Sequence, residues 1–310
     1  MRVLTGPRRR WAPLPGRASV TIGALDGVHR GHQALLAGLD DKAVKTVLTF
    51  DPHPMEVLTP GSHPRLLTTI DERIDLLRLF GVEQVGVLDL GEIRGLSPRR
   101  FVREVLVESL QAGSVVVGSG FRFGEGRAGD TALLREIGEE HGLEAHVLSL
   151  VGDNDGAVSS SRIRGLIESG RVAEVEELMG RRFRLTGTVI GGAGRGRELG
   201  YPTANMMPPS RKVMPATGIY AAYAHVGAES RQAAVSIGVR PTFGGGGEVL
   251  IEAHLLDYST NLRGATMTLE LVECLRPERR FDTVADLVTA IGADVEDVRR
   301  VLGAATPDVV

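Results

Sequence analysis

Between residues 18 and 150, short apolar runs alternate with longer amphipathic stretches. ASVTIG, KTVLTF, EQVGVLDL, SVVVG and AHVLSL have the length and β-branched content of strands. Between them, GHQALLAGL, TIDERIDLLRLFG, SPRRFVREVLVESL and DTALLREIGEEHG repeat their apolar positions at helical spacing. Such alternation predicts an α/β layer built on a parallel sheet with right-handed crossovers. Ligands in such sheets gather beyond the carboxyl ends of the strands. Two further helical stretches, SSSRIRGLIESG and RVAEVEELMG, carry the chain to an expected boundary near Met179 to Phe183.

After residue 183 the pattern changes. FRLTGTVIGG, GIYAAYAHV, QAAVSIGV, VLIEAHLLDY and ATMTLELVECL read as successive strands joined by glycine-rich turns, with no long helix between them. This predicts a small antiparallel barrel, closed by one helix that begins at FDTVADLVTAI. The expected organisation is therefore α/β over residues 1–182 and β over residues 183–310.

Composition narrows the function classes. The chain has 310 residues, 42% apolar and 24% charged, enough for two ordinary globular domains. A net charge of −3 gives no reason to expect nucleic acid or a membrane surface as a partner. Arg8 to Arg10 read as a small solvated basic cluster. The one cysteine, Cys274, lies in the apolar stretch TLELVECL, which excludes an internal disulfide framework and fits a reducing compartment. No signal-peptide core is evident at the N-terminus, and no apolar run approaches the ~20 residues of a membrane span. The expectation is a cytoplasmic protein, a monomer or weak homo-oligomer.

The segment GALDGVHRGH, Gly23 to His32, follows the first of these strands and leads into a helix expected to start near Gly31. Both His29 and His32 then lie at the mouth of a helix, where backbone N–H groups favour an anion. Gly27 and Gly31 leave the backbone open to a phosphate. Two imidazoles there can stabilise charge on a transferring phosphoryl group. A metal site is a weaker reading, because Asp26 is the one nearby carboxylate. Taken alone, the pair reads equally well as a surface histidine beside a packing histidine. Downstream, Ser159-Ser-Ser-Arg-Ile-Arg164 places hydroxyls and arginines at a helix start, a second phosphate-friendly element, unless it is an ordinary serine cap.

In the second half, GGAGRGRELGYPTAN (191–205) lacks both the Walker A ending and dinucleotide-fingerprint spacing, yet combines glycines with arginines. Thr203 and Asn205 offer hard oxygens to Mg²⁺. A glycine-rich hairpin with an Asn turn is the plain alternative. In VLIEAH, Glu252 and His254 share one strand face, and Glu252 can serve as a base or simply be part of a solvated face.

HxGH, SSSxIR and PTAN in this order, with TFDPHP (49–54) and GSGFRFG (118–124), resemble the bacterial bifunctional riboflavin kinase/FMN adenylyltransferases over nearly the whole chain. The resemblance implies a Rossmann-like HxGH nucleotidyltransferase domain followed by a riboflavin kinase barrel. It implies riboflavin phosphorylated to FMN, then FMN adenylylated to FAD, with ATP as co-substrate in both steps and Mg²⁺ as cofactor. On this basis Glu252, His29 and His32 are catalytic. Gly23, Asp26, Gly31, Ser160, Ser161, Arg164, Gly194, Gly196, Thr203 and Asn205 bind ATP. Thr203 and Asn205 hold the metal, and Phe121 and Phe123 belong either to the flavin pocket, where aromatic faces suit a flat ring, or equally to the core.

The sequence departs from the family pattern at Ala24, Leu25 and Ser161, and at Gly120, where family members commonly carry Asn or Asp. These departures keep open a kinase whose first domain has weakened adenylyl transfer. A non-catalytic flavin-binding protein is disfavoured by the presence of Glu252 and Asn205.

Overall fold

Ala18–Ile22 is buried at all five positions, as expected of a strand covered on both faces. It is β2 of a six-stranded parallel sheet made with β1 (Arg2–Leu4), β3 (Val44–Phe50), β4 (Gln84–Leu88), β5 (Ala112–Gly118) and β6 (Glu144–Leu148). The strand order is β1-β4-β3-β2-β5-β6, every neighbouring pair parallel. Alternate residues feed two cores. Val20, Ile22, Leu48, Phe50, Val115 and Val117 face one, while Val47, Val85 and Val116 face the other. The structure, a computed structural model, describes residues 1–192, 195–241 and 247–303.

Helices α1 (Arg30–Ala37), α2 (Pro54–Leu58) and α3 (Ile70–Leu79) follow β2 and β3. A fourth, α4 (Pro98–Arg100), runs on with π-helical geometry over Phe101–Ser109, and α5 (Thr131–His141) follows β5. A capping box between Thr69 and Glu72 fixes the start of α3. The strand order changes direction at β2, with β3 on one side and β5 on the other. In open α/β sheets such a switch point, here between the loops leaving β2 and β5, is where ligands bind. The expected parallel sheet is present. Edge strand β1 was not anticipated, and neither was the short hairpin β7 (Gly152–Asp153) and β8 (Gly156–Ala157).

Contacts divide the chain into two units, Met1–Ser160 and Ser161–Val310. This division precedes residue 182 because α7 (Val172–Met179), which follows α6 (Ser160–Glu168), is tied to the barrel. Glu176 pairs with Arg182, and Arg182 in turn pairs with buried Glu270. The barrel strands are β9 (Phe183–Ile190), β10 (Ala204–Met206), β11 (Gly218–Val226), β12 (Glu229–Pro241), β13 (Gly247–Leu255) and β14 (Thr266–Pro277). They close in the order β10-β13-β12-β11-β14-β9, all antiparallel, leaving no free sheet edge. The short α8 (Arg195–Glu198) precedes β10. The last helix, α9 (Val284–Leu302), packs Val295, Val298 and Leu302 against Ala221 and Tyr223. Arg276 clamps Asp294 of that helix through two 2.7 Å bonds. Among the described residues, no helix is long and apolar enough to cross a membrane.

Candidate active sites

The loop leaving β2 is tightly wound. Leu25, Gly27 and Val28 all have positive φ, at 46°, 88° and 40°. A left-handed leucine and valine are costly, so the surrounding contacts must enforce them. Asp26 supplies the main restraint. Its carboxylate, 1% exposed, accepts the backbone N–H groups of Leu67 (3.0 and 3.1 Å) and Thr68 (2.9 Å). The Thr68 hydroxyl donates to it as well, at 3.2 Å. Gly27 lies so close to Leu67 that a Cβ would stand 2.7 Å from its Cδ1. The Asp26 carboxylate is thus held by the backbone and hydroxyl of the segment that packs against its own loop.

This winding delivers His29 as the cap residue of α1, with Arg30 as first helical residue in place of the expected Gly31. His29 is buried and stacks on His32, ring centroids 3.6 Å apart and planes 20° from parallel. Stacking brings the two imidazoles together at a helix N-terminus, where the backbone dipole favours an anion. Gly31 lies under the His29 ring, and a Cβ there would stand 3.1 Å from its Cε1. The Ser160 hydroxyl donates to the Asp26 carbonyl at 2.9 Å, which joins the serine segment to the histidine loop. Gly23 directly follows β2, its N–H bonded to Leu48 O. Ser161 is exposed and Arg164 buried, both in the second unit.

Sequence patterns did not single out Arg73. It is 2% exposed and donates to Thr49 Oγ1 (3.1 Å), Phe50 O (3.3 Å) and Thr68 O (3.4 Å), with Asp26 3.9 Å away. Burial pulls its pKa below the usual arginine range, opposed by the carboxylates of Asp26 and Asp51. Thr49 donates in turn to Ala24 O at 3.0 Å. Arg73 therefore ties the loop after β3 to the loop after β2. Its spacing of four from Leu77, on the buried face of α3, was the available signal. In TFDPHP, His53 caps α2 by accepting the Met55 N–H through Nδ1.

The two phenylalanines expected in a flavin pocket have different surroundings. Phe123 is 5% exposed and stacks against Phe101 and Phe121, with centroids 5.5 and 5.6 Å away. It sits in the hydrophobic core, one of the two surroundings the sequence left open for it. Phe121 is half-buried on top of it. A Cβ on Gly120 would meet nothing within 4 Å. Leu25, another departure from the family pattern, is 1% exposed and packs in the core with Val28 and Leu36.

In the second unit, PTAN runs into strand β10 rather than a turn. Asn205 pairs directly with Glu252 across β10 and β13, so both side chains lie on one face. Thr203, two residues earlier, extends the same face, its hydroxyl 3.5 Å from Glu252 Oε2. His254 Nδ1 and the carbonyl of Pro202 are 2.8 Å apart, fixing the turn against β13. Beside this cluster opens a cleft of ≈ 400 Å³ whose lining includes Gly191, Gly192, Arg197, Thr203, Asn205 and Arg263. Gly192 abuts the Asn205 amide with no room for a Cβ, and Gly196 abuts the Tyr201 carbonyl in the same way. Gly194 lies outside the described residues. Two hard oxygens beside a carboxylate suit Mg²⁺, which keeps waters and substrate phosphates in its shell. Among the described residues no cluster of three or more His, Cys, Asp or Glu side chains could hold a metal without such help.

Residues 13–162 match the FAD synthetase family and residues 179–302 the riboflavin kinase family. A bifunctional riboflavin kinase/FMN adenylyltransferase of Pseudomonas fluorescens is 37% identical over 285 residues, 90% of this chain and 91% of the relative. That of Escherichia coli (strain K12) is 34% identical over 295 residues, 93% and 94% of the two chains. A crystal structure of a macrolide-efflux protein from Streptococcus pneumoniae superposes with a TM-score of 0.89 at 28% identity, covering 96% of this chain and 99% of that one.

Proposed function

The chain belongs to the bifunctional riboflavin kinase/FMN adenylyltransferase family, and we propose how its residues divide that work. It is an enzyme with both activities, taking flavins and ATP as substrates. In our reading the barrel transfers the γ-phosphoryl group of ATP to the ribityl 5′-hydroxyl of riboflavin. Glu252 accepts the hydroxyl proton while the new oxygen–phosphorus bond forms and ADP leaves. Thr203 and Asn205 would hold Mg²⁺, which when bound neutralises charge on the nucleotide phosphates. Gly194 and Gly196, the latter in α8, belong to the segment that meets those phosphates in this reading.

The parallel-sheet domain then joins FMN to a second ATP. A phosphate oxygen of FMN attacks the α-phosphorus, pyrophosphate leaves and FAD forms. His29 and His32 donate to the charged α-phosphoryl group at the mouth of α1. Gly31 keeps that mouth open, Gly23 carries the chain into it, and Ser160 braces it. Ser161 and Arg164 are phosphate ligands in this reading, and Phe121 meets the flavin. We place the functional boundary at residues 182/183, after the FAD synthetase match has ended and close to where the riboflavin kinase match begins. The enzyme acts in the cytoplasm as a monomer or weak homo-oligomer, without nucleic acid or membrane.

The observation that carries this reading is the convergence of Thr203, Asn205 and Glu252 on one face beside the cleft. Incubation of the full chain with riboflavin, ATP and Mg²⁺, followed by separation of the flavins, tests it. Both FMN and FAD are expected, and failure to form either contradicts it. A second reading, a kinase with weak adenylyl transfer, is favoured by the open space at Gly120. FAD accumulating slowly while FMN accumulates fast would support that one.

A further inference from the structure

We propose that Arg263 is a further ligand for the nucleotide phosphates in the kinase cleft, a role that rests on reading the barrel as the riboflavin kinase. No sequence motif pointed to this residue. It sits in the loop between β13 and β14, held at both sides. Leu262 before it is buried, and the N–H of Gly264 after it donates to Val189 O at 2.9 Å. Gly264 takes a φ of +86°, which turns the loop sharply there. Asn261 Oδ1 accepts the Arg263 N–H at 3.1 Å. The backbone of Arg263 is thus set, and only its side chain is free to reach.

That side chain is aimed at the glycine run. A Cβ on Gly191 would stand 3.4 Å from Arg263 Cζ and 3.5 Å from one terminal nitrogen, so the guanidinium lies against the Gly191 backbone. The next residue, Gly192, abuts the amide of Asn205. Arg263 and Asn205 therefore flank successive residues of one glycine pair, and both line the same cleft. Among the described residues Arg263 has no ion pair, in contrast to Arg276 and Arg299, whose forks are filled by Asp294 and Asp257. An arginine with its fork open, next to a proposed Mg²⁺ ligand and over bare backbone, matches the bidentate geometry of a phosphate. Arg197, also lining the cleft, adds a second positive charge.

The test is steady-state riboflavin phosphorylation by the full chain. Arg263→Gln should raise KM for ATP about tenfold, the loss expected for one charge-assisted hydrogen bond, with kcat and KM for riboflavin near the parent values. Arg263→Lys should recover part of the loss. Inhibition by tripolyphosphate, which has no base, should weaken in Arg263→Gln by the same factor. FAD formation from FMN, at the other ATP site, should be unchanged, and the retained kcat for riboflavin phosphorylation reports that the barrel is folded. An unchanged KM for ATP overturns the proposal. So does a raised KM with unchanged tripolyphosphate inhibition, because the guanidinium would then meet the base. Were the parent to make no FMN at all, the kinase reading would fail, and calorimetric binding of tripolyphosphate to parent and variant would still decide the role of Arg263.

Discussion

Asn205 and Glu252 stand directly opposite each other where β10 pairs with β13. Opposed residues of an antiparallel pair project to the same side with Cβ atoms roughly 5 Å apart. The pairing register alone therefore brings the amide proposed to hold Mg²⁺ beside the carboxylate proposed to accept the substrate proton. A one-residue slip would send them to opposite faces.

Gly192 guards that arrangement. Any Cβ at this position must displace the Asn205 amide. Gly192→Ala is expected to lower riboflavin phosphorylation at least tenfold while FAD formation from FMN is retained. Parallel assays of the two half-reactions check this, and a fully active Gly192→Ala kinase would refute it.

Asp26 is expected to matter through position. Asp26→Asn puts an amide donor where backbone N–H groups now point and leaves buried Arg73 without its nearest carboxylate. The cost to the first unit should be about 3 kcal/mol, read as a lower first transition in thermal unfolding. Adenylyl transfer should fall with it, and riboflavin phosphorylation should persist.

How much of this was legible in the sequence depended on whether a signal repeats. The strands of the sheet other than β1, and every barrel strand except β10, showed as apolar runs, because burial on one or both faces imposes a pattern several residues long. Strands β1 and β10 have three residues each, too few to set a period. Arg73 was not singled out, because a buried arginine is recognisable only once Thr49, Phe50 and Thr68 are seen to receive it. Phe123 read equally as a ligand contact or a core residue, because Phe101, which packs on it, lies 22 residues earlier. The histidine pair, the serine segment and PTAN were legible as motifs. The side-chain network that aims them was not, since its members are scattered in sequence.

Gly120 offers a gain-of-function test. With nothing within 4 Å of its Cβ direction, Gly120→Asn should fold with stability changed by no more than about 0.5 kcal/mol. Placing a polar side chain beside Phe121 is expected to raise kcat/KM for FMN in adenylyl transfer. A decrease, or no change, would remove Gly120 from the account of that site.

Glu104 sets an acid limit on the first unit. Hydrogen bonds from Arg100 and from Arg8, each 2.7 Å, hold its pKa down at about 2, against 4.5 ordinarily. The folded chain favours the ionised form, so the contribution is complete above pH 4.5 and fades as the pH drops through about 2. Glu104→Gln should be less stable than the parent at pH 7, and the difference should close between pH 4.5 and 2. Urea unfolding across that range measures it.

The most direct measurement pairs two substitutions in otherwise identical full-length chains, each supplied with riboflavin, ATP and Mg²⁺ and then with FMN and ATP. His29→Ala should convert riboflavin to FMN and stop there. Glu252→Gln should leave riboflavin untouched, with a loss of about 10²-fold or more, yet make FAD from added FMN. If either substitution abolishes both conversions in a folded protein, or neither, the assignment of one chemistry to each site is contradicted.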